Sequence, residues 1–366
     1  MALSLFSGAV WLTLAAALAT LSLAPNRLAR AWMGAFFACV GFLQVGDYLY
    51  ASDLYLRYPL AFAFTDLFQL PLAPAFYLSV RQFTSLRPAI SRKDLWHFLP
   101  AGLYLLAEIS FFLLPYPDQV IWDADSAPVA PGITYLIIGL WAAQIGAYLL
   151  ASLWLIYKHQ GTLKQLAART DGLDLRWMTG FFVSAIALFG FWLWEQFSYP
   201  YTNNHLSAGA YILTAAIMGY FALNQRAVFP FSEKYITELE QIVEEKPVQT
   251  TVSESEKVRL VLWMEKEKPY LDPDLNLPGM AEKLGMTVHA LSHLLNTGLG
   301  ENFFQFVNRY RVAESQRLLT DPAFAHYSMV AIAFEAGFNS KTTFNTTFKR
   351  LTGMSPSDFR AKAQIP

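Results

Sequence analysis

Apolar positions in the first 230 residues of this chain recur in runs whose lengths suit a bilayer crossing, which needs roughly 20 residues. Seven such runs are read: Ala2–Ala24, Ala31–Ala51, Pro59–Phe83, Leu95–Leu114, Gly132–Tyr157, Leu175–Ser198 and Ser207–Asn224. The first has no Lys or Arg before it and no short apolar core followed by an Ala-x-Ala site, so it reads as a span and not as a cleaved signal peptide. Pro71 and Pro74 inside the third run predict a kink that neighbouring helices absorb.

The pattern changes near Phe229-Pro230-Phe231. Residues 231–245 place Tyr235, Ile236, Leu239, Ile242 and Val243 at helical spacing, as an amphipathic helix at the membrane surface or a short dimerising helix would. Lys246–Ser253 reads as a linker. From Glu254 onward, short helices are separated by turn signals, and one signal repeats. Ala281-Glu-Lys-Leu-Gly285-Met-Thr287 has the form of a helix end, a glycine turn and a new N-cap; Ala333-Phe-Glu-Ala-Gly337-Phe-Asn-Ser340 has the same form 52 residues later. That is the local signature of a helix-turn-helix, where glycine supplies the positive φ and Thr or Ser caps the next helix.

The helix predicted after each turn has one apolar and one polar face. In the first, Leu291 and Leu295 face inward while His289, Ser292, His293 and Asn296 share the other side. In the second, Phe344, Phe348 and Leu351 face inward, and Thr342, Asn345, Thr346 and Lys349 form the outer stripe, with Lys341 beside them. Hydroxyl, amide and imidazole side chains on such a stripe can read base edges in a major groove, and Lys reaches guanine or phosphate. A helix over about 301–320 joins the two modules; it is expected to bury Phe303, Phe306, Val307, Tyr310, Ala313 and Leu318 and to present Arg309, Arg311 and Arg317 outward. Arg309 and Arg350 are the candidate phosphate contacts.

Composition sharpens the division. The whole chain is 54% hydrophobic and only 15% charged, with a net charge of −1. Residues 1–230 hold 12 Lys+Arg and 11 Asp+Glu, whereas the shorter remainder holds 15 and 17. Within it, residues 302–366 carry eight basic and four acidic side chains, so overall neutrality is no argument against a DNA partner. In the first part, eleven of the twelve basic residues fall on one side of the seven runs, and Arg57 alone on the other. The positive-inside rule then predicts a multi-pass protein of the inner (plasma) membrane, N-terminus outside and C-terminal domain cytoplasmic. A single cysteine, Cys39, excludes a disulfide framework and a Cys-rich zinc site. No phosphate-binding glycine loop, His-Glu-x-x-His or in-span lysine is present, so no enzyme, metal or cofactor is expected.

The stretch Ala333–Arg360, AFEAGFNSKTTFNTTFKRLTGMSPSDFR, carries Gly-Phe, Phe-x3-Phe-Lys-Arg-x2-Gly and Ser-Pro-x2-Phe-Arg elements, and Asn308–Leu319 reads N-R-Y-R-V-A-x2-Q-R-L-L. On these elements the last hundred or so residues resemble the AraC/XylS family of bacterial transcription regulators. The resemblance implies two helix-turn-helix modules, with helices at 288–297 and 340–350 in successive major-groove segments of promoter DNA. The first of these lacks Lys and Arg and ends Asn-Thr-Gly where family members often have Arg and Phe-Lys, so the second carries the clearer reading pattern.

Ionisable groups inside spans are costly and default to functional candidates. Asp47, Asp66, Glu108 and Glu195 all fall in the outer halves of their expected spans. They could line an outward-facing pocket for a small molecule or protons, or be hydrated at the interface. The expected architecture is therefore all-α: a seven-helix transmembrane region (1–226), a juxtamembrane helix and linker (227–253), and a double helix-turn-helix domain (254–366). The expected function is a membrane-anchored one-component transcription regulator that contacts double-stranded promoter DNA and the lipid bilayer. A homodimer and RNA polymerase are further candidate partners. The alternatives are a transporter, or a plain anchor, fused to the DNA-binding domain.

Overall fold

A computed structural model of the chain describes residues 26–112, 131–170, 233–244 and 253–363, with scattered positions in 12–16 and 173–225. The described residues are helical with no strand; one isolated antiparallel bridge joins Ala167 and Asn276. The chain divides into two compact units, residues 1–157 with 175–228, and residues 158–174 with 229–366. Residues 158–174 group with the C-terminal unit, apart from the chain on either side of them.

In the first unit, α1 (Arg27–Ala51) packs on α2 (Pro59–Asp66) and α3 (Gln69–Thr84). Met33 and Phe37 are fully buried, Phe36 meets Phe76 with ring centres 5.3 Å apart, and Ser79 Oγ donates to Ala29 O at 2.8 Å. The third expected run is therefore two helices. The break lies at residues 67–68, ahead of both prolines. Pro71 sits in the first turn of α3, where a missing N–H costs nothing. Pro74 lies deeper and leaves the carbonyl of Leu70, four residues back, without its helical donor; Gln144 Nε2 fills that place at 3.1 Å. Near the C-terminal end of α3, Arg81 grips Asp94 through two bonds of 2.8 and 2.6 Å.

Two described helices are long and apolar enough to cross a membrane, over Arg27–Gly46 and Gly139–Leu166. The second belongs to α5 (Pro131–Leu166), 36 residues and about 54 Å long at 1.5 Å per residue. The fourth expected run supplies a 14-residue helix, α4 (Leu99–Phe112). Most of the first, sixth and seventh runs lies outside the described residues. Leu103 and Leu106 on α4, and Leu140, Leu150 and Trp154 on α5, are exposed.

In the second unit, α6 (Glu233–Glu244) buries Ile236 and Leu239 and leaves Tyr235 and Ile242 half-buried. Then come α7 (Glu254–Glu267), α8 (Leu277–Leu284), α9 (Val288–His293, continued by wide π turns to Leu299), α10 (Phe303–Thr320), α11 (Met329–Glu335), α12 (Lys341–Thr352) and α13 (Pro356–Ala363). Asn302 opens α10 with a reciprocal cap, accepting from Gln305 N at 2.9 Å while Gln305 Oε1 accepts from Asn302 N at 3.0 Å. Around α10 gathers a cluster of Val312, Leu318, Leu319, Ile332, Ala333, Phe338, Phe344 and Phe348. Leu260, Met280, Leu291 and Leu295 are likewise buried in the first module.

Candidate nucleic-acid interface

Both predicted turns form. Gly285 ends α8 at φ +65°, and Thr287 Oγ1 accepts from Ala290 N at 3.1 Å to start α9. Gly337 follows α11 at φ +86°, and Ser340 Oγ accepts from Thr343 N at 3.3 Å to start α12. The two glycines differ in what surrounds them. A Cβ on Gly285 would meet open space, whereas one on Gly337 would run into the Tyr270 carbonyl oxygen and lie 2.9 Å from Leu271 Cα. Gly337 is thus demanded by backbone conformation and by close approach together.

On α12 the inward positions are Phe344, Thr347 and Phe348. Lys341, Thr342, Thr346, Lys349 and Arg350 are exposed and Asn345 is half-buried, so the expected stripe stands at the surface. Among the described residues, no carboxylate pairs with Lys341, Lys349 or Arg350. Leu351, expected inside, is exposed. The core at that end is closed by Phe359 of α13, whose ring meets Phe348 at 5.4 Å.

The first module departs further. His289 and His293 are half-buried and Asn296 is exposed, but Ser292 is buried and its Oγ accepts from Asn296 Nδ2 at 3.2 Å. The cause is packing on several sides: α9 contacts α8, its own π-turn continuation and also α6, whose Glu238 Oε2 accepts from Val288 N at 3.0 Å. The regular helix stops at His293, short of the expected residue 297, as Asn296, Thr297 and Gly298 are weak helix formers.

The joining helix also corrects two expectations. Ala313 is exposed, and Arg311 is buried at 2% exposure. Arg311 Nε donates to Tyr270 O and Nη2 to Asp272 O, both at 2.8 Å, and Nη1 to Ala168 O at 3.4 Å. Burial pushes its guanidinium down to about 10, opposed by the nearby charges of Asp272 and Asp274. Three carbonyls let a charged side chain sit inside. Asn308, Arg311 and Ser315 fall at i, i+3 and i+7, a polar stripe that faces inward. Arg309 stays half-exposed, but Glu301 holds it through bonds of 3.0 Å to each carboxylate oxygen, and its guanidinium lies 5.0 Å from the Tyr310 ring centre. A phosphate would have to displace Glu301. Arg317 is paired with Glu314 at 2.8 Å, and that bond holds the Glu314 carboxyl below its ordinary range.

Of the four carboxylates expected in the spans, Asp66 alone has a described side chain. Asp66 Oδ1 accepts from Gln69 Nε2 at 3.0 Å across the break between α2 and α3. Asp47 lies on α1 and Glu108 on α4, with side chains outside the described set, as is all of Glu195. No cluster of metal-ligating side chains occurs among the described residues.

Residues 280–362 match the helix-turn-helix domain family. The matched segment runs from within α8 to α13 and so takes in both turns. An uncharacterized HTH-type transcriptional regulator of Staphylococcus aureus (strain COL) is 31% identical over 87 residues, 24% of this chain and 11% of that protein. The arabinose operon regulatory protein of Escherichia coli (strain K12) is 27% identical over 90 residues, 25% of this chain and 30% of that protein. Its namesake in Salmonella typhimurium is 27% identical over 90 residues, covering 25% and 31%. The chain thus spans under a third of these relatives' lengths. No solved structure matches.

Proposed function

We propose that this protein is a membrane-anchored transcription regulator that binds promoter DNA through its C-terminal helix-turn-helix modules. The observation that carries the reading is α12: a capped helix behind a glycine turn, presenting Lys341, Thr342, Asn345, Thr346 and Lys349 on one side with no carboxylate pairing its cations among the described residues. Phosphate contact falls to Arg350 beside it. The first module contributes His289, His293 and Asn296; Ser292 is withdrawn from the reading set by its burial.

Support for the membrane half is physical. Leu103 and Leu106 on α4 and Leu140, Leu150 and Trp154 on α5 stand exposed, as side chains that face lipid would. The seven-span topology, with the DNA-binding unit in the cytoplasm, fits the eleven-to-one distribution of Lys and Arg. Sensing is assigned to the outer halves of the spans, with Asp47, Asp66, Glu108 and Glu195 as the candidate ligand or proton groups. A homodimer on DNA and contact with RNA polymerase fit the same role.

Fractionation of cells expressing the full chain, combined with genome-wide occupancy mapping, tests both halves. The chain is expected in the membrane pellet, resistant to carbonate extraction, and on a small set of discrete promoters. A chain in the soluble fraction contradicts the membrane half. A membrane chain without discrete occupancy contradicts the DNA half.

A further inference from the structure

The second unit contains a piece of chain that sequence order assigns to the loop between two expected spans. Helix α5 continues without a break through residues 158–166, which belong to this unit and bury Leu163 and Leu166. The three residues after it touch the segment that leads into α8, the joining helix and the turn before α12. Ala167 pairs with Asn276, the residue that caps α8, and Ala168 N donates to Leu275 O at 3.3 Å. Ala168 O accepts from Asn308 Nδ2 at 3.3 Å and Arg311 Nη1 at 3.4 Å, both on the joining helix. Arg169 Nη1 lies 2.9 Å from Asp274 Oδ1. The Asn339 side-chain amide lies against the Arg169 guanidinium, inside the turn that leads to α12, and with its oxygen turned toward Arg169 it would accept from it. One short segment thus holds the start of the first module, the connector and the turn of the second.

We propose that residues 166–169 are a control strap: movement of α5 is delivered through them to the two helix-turn-helix modules and sets DNA affinity. The proposal rests on the functional reading above. Two modules joined by one helix reach successive groove segments only in a particular mutual arrangement, and the strap grips both modules and that helix. Asn308 and Arg311 are the receiving groups, which accounts for polar side chains buried where packing alone would favour apolar ones.

The test uses the full chain in lipid nanodiscs and the promoter fragment most enriched in occupancy mapping. In a Cys39→Ser background, Ala167→Cys with Asn276→Cys places two thiols across the bridge, a pairing within disulfide reach. The oxidised, locked form is expected to differ from the same protein reduced by at least about fivefold in DNA affinity, the lower end of ordinary couplings. Independently, Arg169→Ala is expected to shift affinity by threefold or more while Arg169→Lys, which keeps the bond to Asp274, leaves it at the wild-type value. Equal affinities in locked and reduced forms, with Arg169→Ala binding as the wild type does, would overturn the strap alone. Absence of binding by the wild-type chain would overturn the functional reading and the strap with it.

Discussion

The two helix-turn-helix modules share a turn and differ in what they leave free. After Gly337, α12 keeps its cations unpaired by described carboxylates and its polar stripe at the surface. After Gly285, the corresponding helix has no cation, a buried Ser292, and a backbone N–H already taken by Glu238 of α6. Similar local sequence gives the same turn but not the same exposed surface: packing by neighbouring elements decides which face stays open. On the proposed reading, α12 supplies most of the base contacts and the first module fewer.

The sharpest way to break that contrast is to strip each reading face in turn. Asn345→Ala with Lys349→Ala is expected to lower promoter affinity by roughly 100-fold or more, since a good base contact is worth about 1–3 kcal/mol. His293→Ala with Asn296→Ala should cost less than about threefold, about 0.7 kcal/mol by the usual conversion. Comparable losses by gel shift would erase the distinction between modules.

The turns come next. Gly337→Ala combines a left-handed backbone with a clash against Tyr270 and Leu271, so a loss of about 3 kcal/mol is expected, seen as faster amide exchange across 329–352. Gly285→Ala meets open space and should cost about 1 kcal/mol across 277–295. Equal effects would mean the second turn is not pressed against the Tyr270 segment.

A smaller effect, of about 2 kcal/mol, concerns the segment 158–174. Burial pushes His159 down to about 4, against a hydrogen bond to Leu173 O that raises it. The opened state therefore takes up the proton first. The contribution of His159 is whole above pH 6.5 and is lost as pH falls toward 4, so exchange in this segment should accelerate over that window. His159→Gln should flatten the profile. A profile unchanged by that substitution would place the pH response elsewhere.

The smallest effect separates phosphate contact from base reading. Arg350→Ala should weaken binding about equally across promoter sequences and reduce the salt slope by about one. A sequence-selective loss would move Arg350 into the reading set.

How far these contrasts were legible in the residues follows from the range of the interactions. The repeated Gly-x-Thr and Gly-x-x-Ser turns, their caps and the joining helix are local, and the spacing predicted all of them. Arg311 was misread because helical period places it on a stripe without saying which stripe faces in; a three-residue alternation of Asn308, Arg311 and Ser315 was the available signal. The split of the third run falls at 67–68, not at Pro71 or Pro74, because a side chain from α5 repairs the proline gap. Ser292 and the strap at 166–169 depend on contacts from α6 and from residues 105 to 143 positions away, which no window along the chain contains.

On the proposed reading, α12 reads promoter DNA while the chain is embedded in a membrane. The measurement that tests it most directly is equilibrium binding of the most enriched promoter fragment to lipid vesicles carrying the full chain, compared with the Asn345→Ala, Lys349→Ala variant. Saturable, sequence-selective binding that falls by roughly 100-fold in the variant is predicted. Equal binding by both proteins, or binding with no preference for the promoter sequence, would contradict it.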